Sequence, residues 1–212
     1  MFKCALFDID GTILDSMGNW DWIFNTVIKM YNINDLTEEE IELYKSISVM
    51  SSPPIIKKNH NLKESAEEIL NEVVKLAKIE YEYNIEAKPF CIDYLEKLYN
   101  EGIKIGIVTS GLPELFELSF KRLGIDKYIS AVAYSDEVGV DKSNPDVYLL
   151  AAERLNVNFS DCMVYEDIKK GIIGAKKANM QTTAVFDKWN EYEKEELKAL
   201  ADIYIDSWEE LL

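Results

Sequence analysis

The feature that most constrains this chain is a series of short apolar runs, each ending in a polar or acidic turn. The first, Lys3–Phe7, runs into Asp8-Ile9-Asp10-Gly11-Thr12. Similar runs recur at Ile103–Val108, Ala131–Tyr134, Met163–Tyr165, Thr183–Phe186 and Ile203–Ile205. Apolar runs of this length, bounded by turn residues, predict buried strands. Helical stretches lie between most of them. Pro89–Tyr99 ends before Gly102, and Leu112–Leu123 stops at Gly124, a residue free to take the left-handed conformation that ends a helix. Asn144-Pro145-Asp146 reads as an N-cap, a first-turn proline and an acid suited to the helix dipole. Strands alternating with helices predict an α/β fold, a doubly wound parallel sheet covered on both faces.

Residues 15–85 break the alternation and read as helix only. Thr37-Glu38-Glu39-Glu40 and Asn61-Leu62-Lys63-Glu64 resemble capping boxes. Leu62, Ala66, Ile69, Leu70, Val73, Ala77 and Tyr81 then follow one helical face. A βαβ unit needs only about 30 residues, so the surplus predicts a helical unit inserted after the first strand. The expected division is an α/β core of residues 1–14 and 88–212 and an insertion of residues 15–87. Met17-Gly18 and Glu86–Lys88 are the expected hinges. Ser51-Ser52-Pro53-Pro54 with Lys57-Lys58 reads as a loop, either an ordinary solvated interhelix loop or one that reaches over a pocket and selects substrate, and Trp20 and Trp22 read as packing residues. The acid-rich stretch Asp187–Glu210 reads as a solvated helix face.

Acidic residues outnumber basic ones 39 to 23, giving a net charge of −16. Such a surface repels nucleic acid and anionic membranes and argues against both as partners. No apolar run approaches the ~20 residues of a membrane span, and Asp8 comes too early for a signal-peptide core. The expected location is the cytoplasm. Cys4, Cys91 and Cys162 each sit in apolar surroundings and read as buried, reduced thiols. His60, the single histidine, reads as part of a polar loop, which argues against histidine-based catalysis or metal binding.

In open α/β sheets, ligands bind outside the carboxyl ends of the strands. The residues there are Asp8, Asp10, Gly11 and Thr12 after the first strand, and Thr109, Ser110 and Gly111 after the second. Lys142 follows the third, and Glu166 and Asp167 follow the fourth. Clustered carboxylates repel: two charges 4 Å apart cost about 4 kcal/mol at an effective dielectric of 20. A hard divalent cation held through oxygens offsets that repulsion, and Mg²⁺ fits the donor set. Mg²⁺ associates with phosphate oxygens, so the substrate expected is a small phosphorylated metabolite. Thr109, Ser110 and the amides around Gly111 open a helix, where an anion binds readily, and Lys142 adds a point charge. Asp8 can then attack phosphorus and form an aspartyl-phosphate. Asp10 can protonate the leaving oxygen and later activate water.

These segments resemble the haloacid dehalogenase-like superfamily. Asp8-Ile9-Asp10-Gly11-Thr12 matches its DxDGT motif, and Val108-Thr109-Ser110-Gly111 its second motif. Lys142-Ser143-Asn144-Pro145-Asp146-Val147-Tyr148 is similar to its K-P-x-P-D-x-Y pattern, and Glu166-Asp167-Ile168-Lys169-Lys170-Gly171 to E-D-S-x-x-G. The position of the helical insertion resembles the subfamily with a C1-type cap, which includes phosphoglycolate phosphatases and β-phosphoglucomutases. The resemblance implies a Mg²⁺-dependent phosphatase with Asp8 as nucleophile and Asp10 as acid and base. It implies metal ligands from Asp8, the Asp10 carbonyl and Asp167, with Glu166 and Thr12 supporting them. Thr109, Ser110, Gly111 and Lys142 would hold the phosphoryl group. Ile168, Ser143 and Asp141 depart from the usual Ser, Pro and Gly; Asp141 would partly neutralise Lys142 or face solvent. Trp20 stands where cap-bearing mutases usually carry His, which weighs against a phosphomutase. A phosphate-binding protein without turnover is the alternative of another class. The sequence leaves oligomeric state open.

Overall fold

The computed structural model describes residues 2–47 and 49–212. Met1 and Ser48, which fall in the ranges predicted for the core and the insertion, lie outside the described residues. The predicted strands form as β1 (Cys4–Phe7), β2 (Lys104–Thr109), β3 (Ile129–Tyr134), β4 (Cys162–Glu166), β5 (Gln181–Val185) and β6 (Ile203–Ile205). They build one parallel sheet in the order β3-β2-β1-β4-β5-β6. Every residue of β1 and of β4 is buried, because helices cover both faces of the sheet. Ala5 and Phe7 point into one core and Cys4 and Leu6 into the other. That double burial is why β1 carries no polar residue.

The helices are α1 (Met17–Met30), α2 (Glu38–Ser46), α3 (Ser52–Asn59), α4 (Ala66–Ile79), α5 (Cys91–Asn100), α6 (Pro113–Leu123), α7 (Ser135–Val138), α8 (Asp146–Arg154), α9 (Lys169–Lys177) and α10 (Lys194–Leu200). Helix α6 starts at Pro113 and ends at Gly124, whose φ of +67° is the left-handed stop that the sequence predicts. Helix α8 starts one residue later than expected, with Pro145 in the cap position. The Asn144 amide is turned back onto Asp141 Oδ1, at 3.2 Å, and does not cap the helix.

In the helical stretch, the Thr37–Glu40 capping box opens α2 as predicted. The second box lies at Ser65–Glu68 and opens α4, one turn later than the predicted Asn61–Glu64. Asn61 is instead left-handed, with φ +48°, as the chain leaves α3; asparagine tolerates that conformation. The predicted loop around Pro53 and Pro54 is helix α3. Both prolines sit in its first turn, where a missing amide breaks no intrahelical bond. Lys57 Nζ closes the following turn on the carbonyls of Leu62 and Glu64, at 2.8 and 2.5 Å. His60 lies in the polar turn that follows α3, as expected, but its side chain is buried, 3.2 Å from the Tyr44 hydroxyl. Trp20 packs edge-on against Tyr81, whereas Trp22 is half exposed and does not serve as a packing residue.

Ile28, Ile33, Tyr44 and Ile56 make a small cluster of their own, while Ile23, Val27, Ile69 and Ala77 join the main core. The chain enters and leaves this region side by side. Asp15 N–H donates to Glu86 carbonyl and Lys88 N–H to Ile13 carbonyl, at 2.9 and 2.8 Å. Met17 and Gly18 lie in the first turn of α1, just beyond this pairing.

The carboxyl-terminal stretch is not a solvated helix face throughout. Asp187, Asn190 and Trp208 are buried, and Asp187 pairs with Lys88 at 2.8 Å. The three cysteines are buried and unpaired.

Candidate active site

The strand order runs outward from β1 to β3 on one side and from β4 to β6 on the other. The reversal between β1 and β4 opens a crevice at their carboxyl ends. Phe7 pairs in register with Ile107 of β2 and Tyr165 of β4. Asp8, Thr109 and the Glu166–Asp167 pair therefore leave the sheet at nearly one level.

Carboxylate oxygens of Asp8, Glu166 and Asp167 lie within 4.8 Å of one another, and all three residues are buried. Lys142 bridges two of them, donating to Asp8 Oδ1 and to Glu166 Oε1, the latter at 2.6 Å. The Tyr148 hydroxyl also donates to Glu166 Oε1, at 2.9 Å. Asp167 accepts from the Thr12 hydroxyl at 3.1 Å and from the Asn190 amide at 2.6 Å. Glu166 Oε2 is buried with no hydrogen-bond partner.

Electrostatics follow from this geometry. Burial pushes Asp167 well above the usual carboxylate range, and neighbouring Asp8 and Glu166 push it further. Burial lifts Glu166 to about 7 against the pull of Lys142. Burial works against the Lys142 ammonium, yet Asp8 and Glu166 outweigh it and raise its pKa. One lysine faces three acids. A divalent cation suits this pocket: the donors are all oxygen, and the orphaned Glu166 oxygen lacks a partner.

Asp10 is placed differently. Its side chain turns away from that cluster, and Oδ1 accepts from the Ser16 hydroxyl at 2.6 Å and from the Tyr81 hydroxyl. Burial is the main cause raising its pKa. Thr109, Ser110 and Gly111 line a cleft of about 270 Å³ together with Leu112, Tyr134 and Asp136. The Thr109 hydroxyl accepts from Gly111 N–H at 2.9 Å, and Ser110 bonds Ser135 at 2.9 Å. Trp20, Val49 and Met50 approach Ser110–Leu112 from the helical insertion.

Glycines permit the close approaches. Gly11 has φ +83°, and a Cβ there would lie 2.3 Å from Asp167 Oδ2. A Cβ at Gly174 in α9 would lie 1.9 Å from the Lys142 carbonyl. Gly174→Ala is therefore expected to cost about 1–3 kcal/mol through overpacking. It should also displace the Lys142 loop, so activity falls even where the protein stays folded. Thermal unfolding and turnover on one preparation check both outcomes.

Four supporting residues went unread in the sequence. Tyr148 ends a segment matched to a motif, and its type and spacing were the available signal. Ser16, Tyr81 and Asn190 gave none, since each sits in a helical or acid-rich stretch with no motif. Among the departures, Asp141 faces its own turn and accepts from Ser143 N–H at 3.0 Å. It does not neutralise Lys142. At Ile168, which has no hydroxyl to cap α9, the Glu193 carboxylate takes the Lys169 amide at 2.8 Å.

A family model described as haloacid dehalogenase-like hydrolase matches residues 5–185. The chain belongs to this family. Among its relatives, pyrophosphatase PpaX of Oceanobacillus iheyensis is 26% identical over 96% of this chain and 91% of its own. Glyceraldehyde 3-phosphate phosphatase of Methanopyrus kandleri is 29% identical over 100% of this chain and 96% of its own. The crystal structure of CbbY from Rhodobacter sphaeroides in complex with phosphate superposes with a TM-score of 0.84, at 21% identity, over 100% of this chain and 96% of that one. The last likeness bears on the fold. Family membership makes this chain a hydrolase. No helix among the described residues is long and apolar enough to cross a membrane.

Proposed function

We propose that this hydrolase releases phosphate from small phosphorylated metabolites through an aspartyl-phosphate on Asp8. The observation that carries the reading is the convergence of Asp8, Glu166, Asp167 and Lys142 at the switch point of the sheet. Asp8 shares with Glu166 the lysine that would neutralise an incoming phosphoryl group, and Glu166 is further held by the Tyr148 hydroxyl. Thr109, Ser110 and Gly111 supply hydroxyl and amide donors at the start of α6. Asp10 stands beside the Gly111 turn, placed to give a proton to the leaving oxygen and later to take one from water. Residues 15–87 act as a cap, hinged at Met17-Gly18 and Glu86–Lys88 beside the Leu14–Ala87 bridge, and limit the substrate to small molecules.

Mg²⁺ is the cation proposed for the pocket. Asp8, Asp167 and the Asp10 carbonyl would hold it, with Glu166 and Thr12 in support. When bound, it supplies charge neutralisation of the phosphate oxygens. Trp20 carries only an N–H donor, which it gives to Tyr81 at 3.1 Å. It has no titratable nitrogen of the kind the histidine of a mutase carries, which weighs against a phosphomutase.

The test is phosphate release from a panel of phosphorylated metabolites with and without EDTA. Release that requires Mg²⁺ supports the reading. Inertness toward every monoester refutes it, and an isomerised product without free phosphate replaces it with a phosphomutase.

Asp167→Asn replaces a carboxyl group whose ionisation burial, Asp8 and Glu166 all oppose with a neutral amide, and the Thr12 hydroxyl can accept as readily as it donates, so no donor is stranded. In EDTA the variant is expected to be more stable by about 1–2 kcal/mol. It should also lose the rise in unfolding temperature that Mg²⁺ gives the parent protein. Equal Mg²⁺-induced shifts in the two proteins would remove Asp167 from the metal site.

A further inference from the structure

Tyr81 lies in a π-helical turn, Glu80–Asn84, that continues α4. The Ile85 amide bonds the Glu80 carbonyl, five residues back, at 2.9 Å. The Tyr81 carbonyl instead accepts from the Ser119 hydroxyl of α6 at 2.7 Å, a contact buried in the core. Tyr81 is therefore tied by its backbone to the helix that begins at the Thr109–Gly111 turn, and its ring is 2% exposed. Single π turns recur at functional sites.

The direction of its hydroxyl is fixed by chemistry. The Trp20 indole N–H is a donor only, so the Tyr81 oxygen accepts from it, at 3.1 Å. The Tyr81 proton must then point elsewhere, and the acceptor it meets is Asp10 Oδ1. Ser16 donates to the same oxygen at 2.6 Å. Two donors thus occupy Oδ1. The other oxygen, Oδ2, lies on the side of the phosphate-binding turn, 3.7 Å from where a Cβ on Gly111 would be.

We infer that Tyr81, backed by Trp20 and helped by Ser16, is a positioning residue that fixes which oxygen of Asp10 performs proton transfer. This rests on the proposed phosphatase reading. With Oδ1 occupied, a proton on Asp10 resides on Oδ2, facing the leaving group. In the first step an Asp8 oxygen forms a bond to phosphorus and the bond from phosphorus to the leaving oxygen breaks. The leaving oxygen keeps that electron pair and takes the proton from Asp10 Oδ2. Without Tyr81 the carboxyl group rotates and the proton is shared between its two oxygens.

The role predicts a dependence on the leaving group. A poor leaving group such as a simple alkoxide needs the proton, whereas p-nitrophenolate departs without it. The experiment is first-turnover release of alcohol from alkyl phosphates and from p-nitrophenyl phosphate, in parent protein, Tyr81→Phe and Trp20→Phe. Tyr81→Phe is expected to slow alkyl phosphates about 10- to 100-fold and p-nitrophenyl phosphate less than about threefold. KM should stay nearly unchanged, and the rate should depend more steeply on leaving-group acidity. Trp20→Phe should show the same selectivity at smaller size, which covers the case in which Tyr81→Phe folds poorly. Equal slowing of both substrate types in the two variants would make the contact merely structural and overturn the inference. So would no slowing of either. A parent protein that releases no phosphate from any substrate instead sinks the phosphatase reading, and the inference with it.

Discussion

Asp8→Asn is expected to lower turnover by roughly 10⁴-fold or more on every phosphorylated substrate the parent protein accepts. The amide has nearly the shape of the carboxylate but is a far poorer nucleophile toward phosphorus. Among the described residues no other carboxylate is placed to replace it. Glu166 is committed to Lys142 and Tyr148, and Asp167 to Thr12 and Asn190. The Asp10 carboxyl turns toward Ser16 and Tyr81. The variant should remain folded, because Lys142 keeps its 2.6 Å contact with Glu166 and can still donate to the amide oxygen. It should also still bind phosphate. A thermal unfolding curve near that of the parent, together with absent turnover, is the expected pair of results. Turnover within tenfold of the parent would remove Asp8 from the role of nucleophile, and activity lost together with the fold would leave a structural role instead.

What the sequence made legible was what depends on local pattern. β1 reads as a strand because burial on both faces leaves room only for Cys4-Ala5-Leu6-Phe7. Its exit reads as a site because Asp8 and Asp10 lead into a turn that Gly11 makes possible at φ +83°. The convergence of Asp8, Glu166 and Asp167 follows from a sheet whose parallel strands end at one level, a rule of topology that needs no detailed coordinates. The helical insertion was legible as helix but not in its joints. Ser65 and Asn61 both suit a helix start by type, and only the left-handed turn at Asn61 decides between them. Partners from distant segments were the least legible. Asn190 meets Asp167 because the chain after β5 folds back over the crevice, and nothing in its acid-rich surroundings marks that return. Tyr81 follows the apolar period of α4, and nothing in that period marks the bond its hydroxyl makes to Asp10.

A second return of the chain, after β6, yields the largest stability effect expected. Trp208→Ala should destabilise the protein by about 3–5 kcal/mol, lowering the unfolding temperature by about 6–20 °C for a chain of this size. Trp208 is 1% exposed although it stands in a stretch that reads as solvated. Its ring stacks on Tyr94 with centroids 5.4 Å apart and tilts against Tyr165 and Phe7 at 5.3 and 5.7 Å. Truncation leaves a cavity against three aromatic rings of the sheet and α5, too rigidly held to collapse into it. A polar loss adds to the apolar one. The indole N–H donates to the Thr12 carbonyl at 3.2 Å in a buried contact, and that carbonyl would lose its donor. Thr12 in turn holds Asp167, so the loop carrying Asp8 and Gly11 loosens together with the core. Trp208→Phe keeps most of the packing but not the N–H, and should therefore be destabilised by about 1–3 kcal/mol while affecting the site more than its stability loss suggests. Thermal or urea unfolding of the two variants, with Mg²⁺ affinity measured on each, separates the contributions. If Trp208→Ala unfolds within about 1 kcal/mol of the parent, the carboxyl-terminal segment does not close the core beneath the Asp8 loop.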